Sequence, residues 1–484
     1  MRRRRPIASI SLVHRVLAVT CAVTVAFAAT CAAPREASAN PPDTYGFASR
    51  ETAMGNTGTA DSRGYAANYY NPANLARSRG LQLGIGYFRA EHTLEMNGRD
   101  TAVDPVKGIN AGLVVPGTLF SIPFAFGLGL HLPDDRISRV RALRQEQPRW
   151  ELYDNRNQRR FLAANIAIEP FPWLQIGAGL SFMSSTRGKL DITGSANVLR
   201  PDDSQLRHEV DADLTAIRYP QAGVRVALSE RLAMAAVYRG EFQLGLDLHA
   251  HLAGDIAGLT TALYDLETRS VNNFLPQQVA FGGSWLLHRN VRASFDATWI
   301  NWSAYVPPVA QLDVLLDIPP PSGGWPPTIT PPQAPAPTRV VPLRMHDRIV
   351  PHFGGEWRAV STPRFEGFFR AGYEYSKSPI DPQTGLTNYV DRDRHTFSVG
   401  LGITARDLAH ELPATVALDL HAALSELISD TTRKASAADF VGDYTARGRI
   451  LNLGATMTVA FDGWGGRAAD KDKDNDREKE AQKR

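Results

Sequence analysis

Five arginines in the central part of this chain, Arg225, Arg239, Arg292, Arg370 and Arg394, sit at the polar positions of alternating segments. Six acids, Glu241, Asp247, Asp296, Glu366, Glu374 and Asp419, fall on the same side of their own segments. A guanidinium in a partly dry pocket grips a carboxylate through parallel N–H donors, so this parity could serve an anionic amphiphile. Arg239 and Arg370, in mid-segment, are the first candidates; most of the others are expected to pair among themselves. Catalysis finds little support. The chain has no Gly-x-Ser-x-Gly elbow, His-Glu-x-x-His helix or phosphate-binding loop. Gly84-Ile85-Gly86 reads as strand glycine, and His249 and His251 read as loop-proximal side chains rather than metal ligands. Cys21 and Cys31 are the only cysteines, so the chain beyond residue 40 has no thiol for a disulfide, a metal or a nucleophile. No cofactor, metal site or enzyme activity is expected.

The elements that position these side chains read as strands. From Arg364 to Ser376, Phe365, Phe369, Ala371, Tyr373 and Tyr375 fall on one face, while Glu366, Arg370 and Glu374 fall on the other. Arg394 to Ala405 and Arg447 to Phe461 repeat the pattern. Alternation alone suits a soluble sandwich as well as a transmembrane barrel; the connections separate the two. About 14 strands are expected, near 81–96, 109–118, 122–132, 159–169, 173–190, 205–228, 231–250, 269–286, 290–306, 345–360, 364–378, 392–406, 414–426 and 446–461. Tight turns at Phe171-Pro172, Ser229-Glu230, His288-Asn290 and Ser361-Pro363 alternate with long polar excursions. Short periplasmic turns and long extracellular loops belong to an outer-membrane barrel. The fold class is therefore all-β: a transmembrane antiparallel β-barrel spanning 81–461. Residues 307–344 are proline-rich and predict an extracellular loop that cannot join the ladder. Trp299, Trp302 and Tyr305 predict aromatic anchors at the outer membrane interface.

Residues 40–80 are small, polar and rich in Gly and Ala, too poor in bulky side chains to build their own core. Inside a barrel such a segment reads as a hatch plugging the lumen. Residues 1–39 read as a signal peptide, with Arg2 to Arg5, an apolar run from Val16 to Ala33, and Ala37-Ser38-Ala39 as the cleavage site. Six arginines and one glutamate fall in that leader, against +3 for the whole chain. The remainder is thus slightly acidic and offers nothing to nucleic acid. Residues 462–484 read as a charged, disordered periplasmic tail.

Tyr45-Gly46-Phe47, Gly55-Asn56-Thr57-Gly58-Thr59-Ala60 and Tyr70-Asn71-Pro72-Ala73-Asn74-Leu75 resemble the hatch of the outer-membrane long-chain fatty-acid transporters of the FadL/TodX type. Leu275-Pro276 through Gly282, then Asp296 to Trp302, resemble that family's proline-led strand and its Asp-x-x-Trp-x-x-Trp strand. Phe369 to Tyr373 with Ser378-Pro379, and Asp393-Arg394-His395 leading to Gly402, resemble two later strands. The resemblance implies a 14-stranded barrel that takes up long-chain fatty acids or other hydrophobic small molecules by hatch-gated passive diffusion. It places Gly46 and Phe47 where the hatch touches ligand, although Phe47 would equally serve as plain filling. Asn71, Pro72 and Ala73 are expected to seat the hatch against the wall. Expected partners are the hydrophobic ligand, outer-membrane lipids and the barrel-assembly machinery, with the chain a monomer in the cell outer membrane. A second reading, a barrel of this fold acting as a protein-binding scaffold in secretion or surface attachment, would use the proline-rich loop and the tail for docking. A non-specific porin is disfavoured by the plug.

Overall fold

A computed structural model describes residues 41–134, 146–153, 160–196, 205–256, 260–305, 311–324, 333–334, 341, 343–406, 414–436, 439 and 441–461. The segments read as leader and tail, and much of the proline-rich segment, lie outside these residues.

The alternating segments become strands, and 14 of them close into an antiparallel barrel. In chain order the first seven are Leu81–Met96, Val106–Leu119, Ile122–Pro133, Phe161–Phe171, Leu174–Ala196, Gln205–Ala227 and Leu232–Arg239. The second seven are Gln278–His288, Val291–Ile300, Arg348–Ser361, Phe365–Ser376, Arg394–Arg406, Ala414–Thr432 and Tyr444–Phe461. The ring closes where the last strand pairs with the first, Leu81 opposite Phe461 and Met96 opposite Ala446.

Period two sets which side chains face out. Phe369, Phe397, Val399, Leu401, Ile403 and Leu453 are exposed on the outer surface, whereas Arg370, Thr396, Ser398 and Asn452 are buried in the lumen. Apolar outside and polar inside is the reverse of a water-soluble domain, and only hydrocarbon stabilises it. The barrel is a membrane-spanning one. Its periplasmic end carries the short turns, including Phe120-Ser121, where both residues have positive φ (49° and 66°) as a two-residue I′ turn requires.

Two wall strands depart from expectation. The segments read as single strands, 231–250 and 269–286, each break at the extracellular rim. One breaks at Gly240-Glu241; the other breaks at Pro276-Gln277, where proline has no N–H for the ladder. Beyond the breaks, Phe242–Ile256 and Thr260–Leu275 form a hairpin that leaves the wall, and Phe242–Ile256 runs parallel to the upper part of Leu174–Ala196. The expectation that 307–344 contributes no strand is also corrected. Gln311–Asp317 pairs with Leu263–Arg269, because this stretch is proline-free and keeps every N–H. It stops just before Pro319.

The lumen is filled from below by residues 41–80. Short helical turns, Pro41–Tyr45, Ser49–Ala53, Gly64–Ala66, Ala67–Tyr70 and Pro72–Arg77, pack against the wall and are almost wholly buried. Above them lies an apolar cluster of wall and loop side chains that includes Phe88, Leu94, Trp150, Phe274, Trp302, Tyr305, Tyr389 and Ile450. Trp302 and Tyr305 are therefore not membrane-interface anchors. The chain turns inward after Ile300 through a short 3-10 turn, Trp302–Ala304, and buries both rings in the barrel mouth.

Candidate functional site

The hatch is fastened by hydrogen bonds to acids on three consecutive wall strands. Asp296 accepts the backbone N–H groups of Gly58 and Thr59 at 2.8 and 2.9 Å through one oxygen. Glu374 accepts from Asn56 at 3.0 Å, and His352 reaches the Gly55 carbonyl at 2.9 Å. Glu356 carries the largest share. Its Oε2 accepts from Arg50 Nε at 3.0 Å and Arg370 Nε at 2.8 Å, and its Oε1 accepts from Arg50 at 3.2 Å and Arg63 at 3.1 Å. Arg50 in turn uses every guanidinium donor, the rest going to Glu51 at 2.9 Å and to Asp61 at 2.9 and 3.0 Å.

Asp61 is the hub on the hatch side, with Arg77 at 3.0 Å, Arg63 at 3.3 Å and Arg292 at 3.4 Å besides Arg50. Burial disfavours its charge, but the guanidiniums of Arg63, Arg77, Arg50 and Arg292 outweigh that and hold its carboxyl well below the ordinary range. For Glu51 burial wins, and its carboxyl is pushed up despite Arg50.

Asn71, Pro72 and Ala73 lie against the opposite side of the wall. Asn71 Oδ1 accepts from Ala73 N–H at 2.9 Å, capping the following turn, while its amide donates to Thr59 O at 2.7 Å. Gly177 and Gly223 face this corner, and a Cβ at Gly177 would overlap the backbone of Pro72 and Ala73. The wall is thinned to backbone where the hatch touches it.

Gly46 and Phe47 lie within the hatch. Gly46 has φ +87°, and a side chain there would meet Thr52 and Asn56. Phe47 is fully buried, its ring 5.5 Å from Tyr65 and Tyr69 and 5.7 Å from Phe161. Tyr69 links it upward: Arg239 lies 4.8 Å over the Tyr69 ring, and Tyr69 hydrogen-bonds Asp43. Arg239 and Arg370 fall on opposite sides of the hatch and do not form one site. Arg370 is buried, held by Glu356 and by Asp419 at 2.7 Å, beside a lower cavity of about 230 Å³. Arg239 lines a small upper cavity of about 50 Å³ with Arg348, Arg394, Tyr69 and Glu374.

This upper cavity joins two surfaces that parity alone did not connect. Its roof is the apolar cluster, which shares Ile300 and Val350 with the cavity lining. Its floor and sides carry three guanidiniums. Arg394 donates to Glu374 at 2.6 Å, Arg239 to Gln278 at 2.6 Å and Arg348 to the Lys377 carbonyl at 3.2 Å. Among the described residues, the buried Nε of each of the three donates to no protein acceptor. Arg348, Arg50, Asp61 and Glu356 were not among the residues singled out by sequence. Glu356 shares the inward parity of His352 in its strand, a signal that was present but unread.

No protein-family profile and no curated protein matches the sequence. Solved structures do. A FadL homologue from Pseudomonas aeruginosa aligns over 86% of this chain and 98% of its own, with 13% identity and a TM-score of 0.51. The TodX monoaromatic hydrocarbon channel, as its deltaS2 mutant, aligns over 87% of this chain and 100% of its own, with 14% identity and a TM-score of 0.50. At such identity the likeness speaks to architecture, and it agrees with the closed 14-stranded wall and the plugged lumen described above. The chain has the fold of the FadL/TodX-type outer-membrane barrels.

Proposed function

We propose that this barrel takes up hydrophobic small molecules across the outer membrane by hatch-gated passive diffusion, with long-chain fatty acids as the preferred class. One observation carries the reading: an apolar, aromatic cluster stands directly on a cavity edged by Arg239, Arg348 and Arg394. An acyl chain belongs in the first and a carboxylate at the second. Burial contributes about 0.8 kcal/mol per CH₂, so chain length sets most of the affinity. A hydrogen bond to a charged group contributes about 1.5–3 kcal/mol, which sets the preference for acid over neutral hydrocarbon. In this reading Arg370 helps seat the hatch, since Glu356 and Asp419 already hold it. Phe47 and Gly46 shape the hatch beneath the ligand. The relatives in fold, a FadL homologue and a monoaromatic hydrocarbon channel, are consistent with a hydrophobic ligand.

The test is competition against a bound fluorescent long-chain fatty acid on purified, detergent-solubilised protein. Unlabelled acid should displace the probe, and the alcohol of equal chain length should need about tenfold more, the low end of one charged hydrogen bond. Arg239→Gln should narrow that gap. Equal displacement by acid, alcohol and toluene would remove the fatty-acid assignment and leave general hydrophobic uptake.

The scaffold reading keeps one supporting observation, the sheet of Phe242–Ile256, Thr260–Leu275 and Gln311–Asp317 that continues beyond the rim. Deleting residues 307–344 separates the two. A transporter keeps probe binding, and a scaffold loses its protein partner.

A further inference from the structure

We infer that the barrel has a second closure, on the extracellular side, formed by two loops that pair with each other instead of with the wall. The inference rests on the uptake reading above, because it concerns how ligand reaches the upper cavity. Arg149-Trp150 and Tyr389-Val390 form a parallel two-residue ladder that belongs to its own small sheet, separate from the barrel. Arg149 N–H donates to Asn388 O at 3.1 Å and Glu151 N–H to Val390 O at 3.3 Å. The Asn388 amide donates to Glu146 O at 2.8 Å. Arg149 pairs with Glu151 at 2.7 Å and stacks 4.5 Å over the Tyr389 ring. Glu151 also accepts from Tyr305, on the inward turn after Ile300.

Three separate connections thus meet over the lumen. Trp150, Tyr389 and Val390 are buried in the same apolar cluster as the wall residues Phe88, Leu94 and Ile450. The contact is a roof. The upper cavity beneath it measures about 50 Å³, whereas pockets for drug-sized ligands run to roughly 300–1,000 Å³. A long-chain ligand therefore enters only when the loops part. The roof is built to part more readily than the wall: its ladder is two residues long, while the wall strand Ala414–Thr432 is laddered along most of its length on both sides. Short ladders with few backbone bonds open at the low end of a protein's local stability range. The hatch anchors at Asp296, Glu356 and Glu374 do not involve these loops; roof and hatch meet through Tyr45, which is buried in the same apolar cluster as Trp150 and Tyr389.

Two measurements test this. The first needs no ligand: amide hydrogen exchange of the purified protein. Residues 149–151 and 388–390 should exchange at least about tenfold faster than the amides of Arg394–Arg406, the mark of local opening. Exchange as slow as that wall strand would overturn the closure. The second is a disulfide lock, Arg149→Cys with Tyr389→Cys, placed at directly paired positions. Cys21 and Cys31 are replaced by Ser so that no other thiol is present. The oxidised protein should bind the fluorescent fatty acid at least about tenfold more slowly than the same protein reduced, since locking removes the competent state. Equal rates would overturn the closure. If the reduced protein binds no probe while the unaltered protein binds it, the substitutions themselves are at fault and the exchange result decides. If the unaltered protein binds none either, the uptake reading fails, and the exchange result again decides the closure on its own.

Discussion

Glu356 accepts four guanidinium hydrogen bonds, two from Arg50, one from Arg63 and one from Arg370, and so joins two hatch residues to the wall. Glu356→Gln keeps the shape and removes the charge those cations face. Breaking a buried pair from one side costs about 3–5 kcal/mol, and here the cost falls on hatch seating rather than on the barrel ladder. The variant should assemble as a barrel yet show raised single-channel conductance in planar bilayers; conductance equal to the unaltered protein would mean that Asp296 and Glu374 suffice. Asp61 adds a pH prediction. Its folded carboxyl lies below the ordinary range, so its charge contributes fully above the unfolded value and is lost only as pH falls through the depressed one. The hatch should stay seated from neutral pH down to about pH 4, near the ordinary Asp value. A conductance rise already near pH 5, above that value, would place the latch on some other group.

At the scale of elements, the hatch and the wall meet backbone to backbone. A Cβ at Gly372 would fall 2.7 Å from Gly55 Cα and overlap the Met54 carbonyl carbon, and Gly55 itself has φ +68°. Gly372→Val should push the hatch from its seat while leaving the lipid-facing strand surface intact. Limited proteolysis of the assembled barrel should then cut within residues 41–80; resistance equal to the unaltered protein would count against backbone contact as the seat. Much of the wall was legible in the sequence because one residue's parity sets the face of its whole strand. Arg370, Glu374 and Arg394 all point inward as their alternation requires. Parity names a face, however, and not a partner. It could not tell that Arg370 is held by Glu356 and Asp419, on strands 14 and 49 residues away. Nor does alternation choose between neighbours, so the crossing of Phe242–Ile256 onto Leu174–Ala196 was unreadable. Trp302 and Tyr305 misled for a related reason: aromatic residues at a strand end suit a membrane interface and a barrel mouth equally well.

At the scale of the molecule, three layers stack along the barrel axis. A polar, ion-paired hatch closes the lumen, a small cavity edged by arginines stands on its upper face, and a packed apolar cluster that includes the paired loops roofs the cavity. The apolar outer wall fixes the assembly in lipid, and under the proposed uptake function the ligand's path is set by which layer yields. Protein-dependent passage of a hydrophobic ligand through a barrel closed to ions is the central proposal. The most direct test is delivery of a long-chain fatty acid into proteoliposomes carrying the protein, followed by an entrapped fluorescent acceptor, with conductance recorded on the same preparation. Saturable delivery well above that of protein-free vesicles is expected, with no steady ion current. Delivery no faster than in protein-free vesicles, for fatty acids and aromatic hydrocarbons alike, would contradict it.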